Sequence, residues 1–216
     1  MQHFKRTDVP MKFRKIIFIA VTVILSSCSD RFQKIAEKNV ETSELLKRIQ
    51  PNTKVQYWQL ESTPNFKDDS KSSEILYSDG RCTTKEKKGI LNKKYDWSGF
   101  FRGCQPSYCA YRITYLENNK WKVVKSEQEL KNFIGEIDNE YEAFLIGRIN
   151  DYSIDAYSEK GNGFIKEKNG FKIKMMIYKS CPESKESFIF LVNTKGEILN
   201  LKSDGFYFKS KNCITY

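Results

Sequence analysis

One stretch in the second half of the chain decides how much helix the rest has to accommodate. Ser126-Glu127-Gln128-Glu129 has the form of a capping box, in which the serine hydroxyl accepts the Glu129 backbone N–H and Glu129 reaches back. Leu130, Phe133, Ile134, Ile137, Tyr141, Phe144 and Leu145 then recur at three- and four-residue spacing. That spacing predicts one amphipathic helix, ending near Gly147, a residue suited to the C′ position. Gly135 is the unfavourable residue inside it.

The surroundings read as strand. Val55–Leu60 is β-branched and aromatic, and Glu74–Tyr77 is a short run closed by Ser78-Asp79-Gly80 as a turn. Tyr108–Val124 alternates as a hairpin about Glu117-Asn118-Asn119-Lys120. Tyr152–Tyr157 is a further expected strand, and Lys168-Asn169-Gly170 turns between Phe164–Lys166 and Phe171–Tyr178. Ser187–Val192 pairs with Glu197–Leu201 across Asn193-Thr194-Lys195-Gly196, and Gly205–Phe208 is a last strand. The expected fold class is α+β: mainly antiparallel sheet with one long amphipathic helix packed on it.

The N-terminus carries an address. Lys12, Arg14 and Lys15 precede a ten-residue apolar run, Ile16–Leu25, within the length of about 7–15 expected of a secretory h-region and short of the roughly 20 residues of a membrane-spanning helix. The run closes on Leu25-Ser26-Ser27-Cys28. These four residues resemble the lipobox of bacterial lipoproteins. The resemblance implies cleavage before Cys28, a diacylglycerol on its sulfur and often a third chain on its amine. One short acyl chain binds a bilayer only reversibly, whereas two or three hold a protein there. Ser29 follows rather than Asp, which under the sorting rule of enteric lipoproteins implies the outer membrane of the cell envelope. The strands and capped helix also resemble those of envelope lipoproteins to which no activity is attached.

The expected organisation is therefore residues 1–27 as signal peptide (with Met11 as an alternative start), 28–53 as a lipid-anchored tether, and 54–216 as a single globular domain. In the tether, Phe32, Ile35, Val40, Leu45, Leu46 and Ile49 are sparse apolar points among charges, with a short helix near Thr42–Arg48 ended by Pro51.

Cleavage removes Lys5, Arg6, Lys12, Arg14, Lys15 and Asp8, taking the formal charge from +10 to +6. A basic exported domain is drawn to anionic lipid, acidic glycan or an acidic envelope protein; nucleic acid is not an expected partner. Cleavage also discards His3, the only histidine. A mature chain without histidine excludes Ser-His and Cys-His nucleophile pairs, histidine bases and histidine metal ligands. No phosphate-loop, dinucleotide, nucleophile-elbow or zinc-helix motif is present. The chain is read as no enzyme, with no metal and no cofactor.

Besides Cys28, the exported chain has Cys82, Cys104, Cys109, Cys181 and Cys213, an odd number of candidates for disulfides. The expected bridges are Cys181 with Cys213, and two of Cys82, Cys104 and Cys109. A candidate binding surface is the run Lys85, Lys87, Lys88, Lys93 and Lys94, followed by Trp97, Phe100 and Phe101, because cations beside aromatics suit an anionic partner. Glu136 and Glu140 share a face of the expected helix and are weighed as paired carboxylates for acid–base work, but lie opposite its apolar stripe. The functional expectation is a membrane-anchored binding module. An immunity or inhibitor lipoprotein against an envelope-targeted toxin or enzyme, and a histidine-independent hydrolase, are the alternatives.

Overall fold

The computed structural model describes residues 31–51, 55–64, 73–83, 99–103 and 109–213, with Thr63, Pro64 and Cys109 described as backbone alone. Within Arg31–Tyr216, two four-stranded antiparallel sheets form the framework. The first has the order β2-β1-β3-β4, from β1 (Val55–Pro64), β2 (Glu74–Gly80), β3 (Cys109–Glu117) and β4 (Lys120–Val124). The second is the meander β5 (Gly163–Glu167), β6 (Gly170–Ser180), β7 (Glu183–Asn193) and β8 (Ile198–Lys209).

The hairpins follow local chemistry. Asn118 and Asn119 both take positive φ, 51° and 59°, between β3 and β4, as a two-residue hairpin turn requires and asparagine tolerates. Glu167 pairs with Gly170 across Lys168-Asn169. Leu191 pairs with Leu199 and Val192 with Ile198, as the sequence implied. Two expectations change. Gly80 does not close a turn but pairs with Tyr57, so β2 runs through it. Tyr152–Tyr157 is no strand; Ser153 makes only a bridge to Met176.

The expected fold class does not hold: the protein is mainly two antiparallel sheets, and no long amphipathic helix lies on them. The helical stretch is divided into α2 (Glu127–Ile134) and α3 (Glu140–Ile149), preceded by the short α1 (Thr42–Leu46). The break is at Gly135, whose φ of 74° and ψ of −115° end α2. Asn139 then starts α3 by accepting the Glu142 N–H at 3.0 Å. The apolar spacing continues across the break because Ile137 is buried in the link. The cap is real but shared differently: Ser126 accepts from Glu129 N at 3.3 Å, while the Glu129 carboxylate accepts from Lys125 N at 2.7 Å. Gly147 does not terminate α3. A Cβ there would collide with Met175, so this glycine lets the helix lie close on β6.

The core joins Trp58, Leu60 and Ile113 of the first sheet to Ile173, Met175 and Phe190 of the second, with Leu130, Phe133, Phe144 and Leu145 from the helices. The expected tether belongs to this core as well. Ile35, Leu45, Leu46 and Ile49 are buried in it, and Gln33 pairs with Phe164 at the edge of β5. Asn162, itself buried, accepts from Ile35 N at 3.1 Å and donates to Ile35 O at 3.0 Å, doing with a side chain what a neighbouring strand would do. The folded part therefore begins before residue 54. The sequence hid this because Ile35 and Ile49 reach the core from irregular backbone and only Leu45 and Leu46 from the short α1, too few for a sustained helical or strand period.

Candidate functional site

The loop after α3 crosses the second sheet and sets Asp155 over it. Ser153 holds the loop to β6 through two backbone hydrogen bonds with Met176, 2.7 and 2.8 Å. Asp155 is buried, and its carboxylate is fully engaged. One oxygen accepts from Lys185 Nζ at 2.9 Å and Tyr207 OH at 2.8 Å; the other accepts from Tyr157 N at 3.1 Å. Tyr207 reaches this point because β8 is irregular there. Lys185 faces Phe208 and Glu186 faces Phe206, which leaves Tyr207 as the extra residue of a bulge. Gly161 is required beneath it: a Cβ would stand 2.8 Å from both Asp155 Cβ and the Tyr207 hydroxyl.

Electrostatics make Asp155 an anchor, not an acid. Burial pushes its pKa up, but the hydrogen bonds from Lys185, Tyr207 and the Tyr157 backbone outweigh this and hold it below the ordinary carboxylate value. Burial and the neighbouring carboxylate raise the Tyr207 phenol above its ordinary 10.0. The arrangement presents charge and aromatic faces without a proton poised for transfer. Around it lies a cleft of about 300 Å³, lined by Asp155, Tyr157, Ser158, Glu183, Lys185, Tyr207 and Phe208.

Two of the residues lining this cleft, Tyr157 and Phe208, are exposed aromatics. The large exposed apolar side chains among the described residues are Ile75, Tyr157, Tyr178, Leu199, Leu201, Phe206 and Phe208. All but Ile75 lie on β6, on β8 or in the loop above them. Tyr157 is 82% exposed and Phe206 46%. Cross-strand pairing places Tyr178, Lys185 and Phe208 in one row and Ile177, Glu186 and Phe206 in the next. Lys209 Nζ sits 3.7 Å from the Phe206 ring centroid, a cation–π contact. β8 is the outermost strand of its sheet. The sequence marked Gly205–Phe208 as a strand but gave no sign that its aromatics face outward; the alternation that signals a half-buried strand is broken by the bulges.

Most of the surface expected from sequence is not described. Lys85, Lys87, Lys88, Lys93, Lys94 and Trp97 fall outside the described residues, as do Cys28 and Cys104. Phe100 is not a surface anchor: it is wholly buried and exchanges backbone hydrogen bonds of 2.9 Å with Tyr111. Phe101 is half-buried and packs edge-on against Phe100. Cys181 and Cys213 form the expected disulfide, with an S–S distance of 2.05 Å. Cys82 is half-buried with its sulfur 3.6 Å from Thr83 O, and Cys109 opens β3 opposite Pro64. Glu136 and Glu140 do not share a helix face, because Glu136 lies in the link between α2 and α3.

Two buried carboxylates that the sequence did not single out serve the fold. Glu61 accepts from Gln59 Nε2 and Thr114 Oγ1, both at 2.8 Å, from Ser73 Oγ at 3.0 Å and from Arg112 Nε at 3.1 Å. Glu142 accepts from the backbone of Gln50 and Asp138. No family model, curated protein or solved structure matches this chain.

Proposed function

We propose that this chain is a membrane-anchored envelope lipoprotein whose folded part is a binding module, and that the edge around β8 is the face that meets its partner. The observation that carries this reading is that six of the large exposed apolar side chains, Tyr157, Tyr178, Leu199, Leu201, Phe206 and Phe208, belong to β6, to β8 or to the loop above them. Large apolar side chains left in water mark an interaction site when they are concentrated on one part of a fold, and aromatics are favoured at the centres of such sites. Lys179, Lys202, Lys209 and Lys211 are exposed around it, which suits an acidic envelope protein, an acidic glycan or anionic lipid. The anchor is the lipid on Cys28, and the site is one of binding because Asp155 is held ionised and fully hydrogen-bonded.

A protein partner is favoured by one further feature. An outermost strand offers backbone N–H and C=O groups to a strand of another chain, and β8 has that position. In this form the protein is an immunity or inhibitor lipoprotein, making a one-to-one complex with an envelope-targeted toxin or enzyme.

The test is affinity capture of the anchored protein from its native membrane, in parallel with a Phe206→Ser/Phe208→Ser variant. The expected result is a component retained by the first and lost by the second. Equal retention by both moves the partner to another face. Acyl labelling of wild type and Cys28→Ala tests the anchor separately, with label expected on the wild type alone.

A further inference from the structure

A second cleft, of about 670 Å³, opens where residues 99–103 meet the start of α2 and the end of α3. Its lining includes Arg148, which carries an unusual burden. The Arg148 side chain is half-buried, and its Nε is buried with no hydrogen-bond partner. One terminal nitrogen donates to Ser153 Oγ at 3.2 Å, and the guanidinium lies 5.8 Å from the Phe101 ring centroid. Among the described residues, no carboxylate stands within ion-pairing distance of it. Burial pushes its pKa down, against the electrostatic pull of Tyr111, Glu41 and Asp151.

A cation taken out of water without an anion beside it destabilises the fold that holds it. A bound anion would remove that cost, and the residue's place in a cleft gives such an anion room. Arg102 and Lys125 line the same cleft. Glu127, one of its two acids, is occupied by the Phe101 backbone N–H at 2.9 Å; the other, Asp151, has the left-handed φ of 66°. Phe101 is left-handed too, at 50°. For a bulky side chain this is a costly conformation, of the kind that clusters at ligand clamps.

We propose that this cleft is a binding site for a small ligand carrying an oxyanion, phosphate or carboxylate, which the Arg148 guanidinium receives with Arg102 and Lys125 beside it. A planar guanidinium presents paired donors that match two oxygens of such a group. The cleft has the size of a small-molecule site and is larger than a bare anion needs, so the oxyanion is one end of the ligand. The site is separate from the β8 edge and does not depend on the reading given to it.

The test is thermal unfolding of the full chain, titrated with inorganic phosphate and, separately, with acetate, against chloride at equal ionic strength. A saturable rise in the wild-type midpoint above chloride is expected with at least one of the two. Arg148→Met should unfold at a higher temperature than wild type without ligand and show no such rise. Lys125→Gln, which leaves Arg148 in place, should need roughly threefold more of the anion for half the effect. The proposal is overturned if neither anion exceeds chloride in the wild type, or if Arg148→Met responds as the wild type does. Should Arg148→Met not fold, an unchanged half-effect concentration in Lys125→Gln overturns it.

Discussion

Glu142 on α3 accepts the backbone N–H of Gln50 at 2.9 Å and, through its other oxygen, that of Asp138 at 3.1 Å. One carboxylate thereby ties the end of the N-terminal segment to the link between two helices. Burial pushes its pKa up from 4.5 to about 7; the N–H groups of Gln50 and Asp138 oppose this and the Asp138 carboxylate adds to it. In the unfolded chain the same group titrates at its ordinary value. Between pH 4.5 and about 7 the folded protein therefore holds a proton that the unfolded chain has lost. The stability this contributes is complete below the lower value and is lost as pH rises through the upper. We expect the urea midpoint to climb as pH falls from about 8 to about 5, and the climb to be flattened in Glu142→Gln. Equal slopes in the two proteins would contradict this account.

Glu61 behaves in the opposite sense. Burial raises its pKa, but Gln59, Arg112 and Thr114 together outweigh burial and leave it below 4.5. Its contribution is present above the ordinary carboxylate value and is lost as pH falls through the lowered one. Glu61→Ala leaves the Arg112 guanidinium without its carboxylate, and should cost about 3–5 kcal/mol by chemical denaturation. Replacing both, as Glu61→Leu with Arg112→Met, should cost less than Glu61→Ala alone. A double variant that is less stable than the single would show that the pair contributes more than it costs to bury.

Gly135 discriminates between one helix and two. In an uninterrupted helix, Gly→Ala stabilises by up to about 1 kcal/mol. At φ 74° and ψ −115° an L side chain is strained, so Gly135→Ala should destabilise, by about 1 kcal/mol or more. A rise in the thermal midpoint would speak for the continuous helix instead.

The Cys181–Cys213 bridge closes a loop of 32 residues. Chain entropy puts its contribution at about 3–4 kcal/mol. Ser210 N donates to Glu183 O at 2.8 Å and Glu183 N to Asn212 O at 3.2 Å, so the tail is laid beside β7 and the loss of the bridge should be felt there first. Cys213→Ser should lower the thermal midpoint, and reductant should then have less effect on the variant than on wild type.

The parts legible in the sequence were those set by near neighbours. Asn118-Asn119 and Lys168-Asn169-Gly170 placed two hairpins, Ser126 placed a helix start, and Cys181 was matched to Cys213. What misled was a pattern that two structures satisfy. Leu130 to Leu145 keep a helical spacing whether or not the chain turns at Gly135, because Ile137 reaches the same core from the link as it would from a helix. Which aromatics stay exposed was hidden for a similar reason. An aromatic in sequence is equally a core residue or a surface one, and Phe100 became the first while Phe206 became the second.

Turn type, helix start and strand alternation were thus determined by the sequence itself, since each depends on the conformational preferences of a few adjacent residues. Tertiary structure alone decided which carboxylates are buried, which aromatics stay in water and how the N-terminal segment joins the core. Those outcomes depend on contacts between residues far apart in the chain, such as Ile35 with Asn162, Gln50 with Glu142 and Asp155 with Tyr207. No local preference encodes them, because each becomes favourable only when the rest of the fold has already brought the partners together.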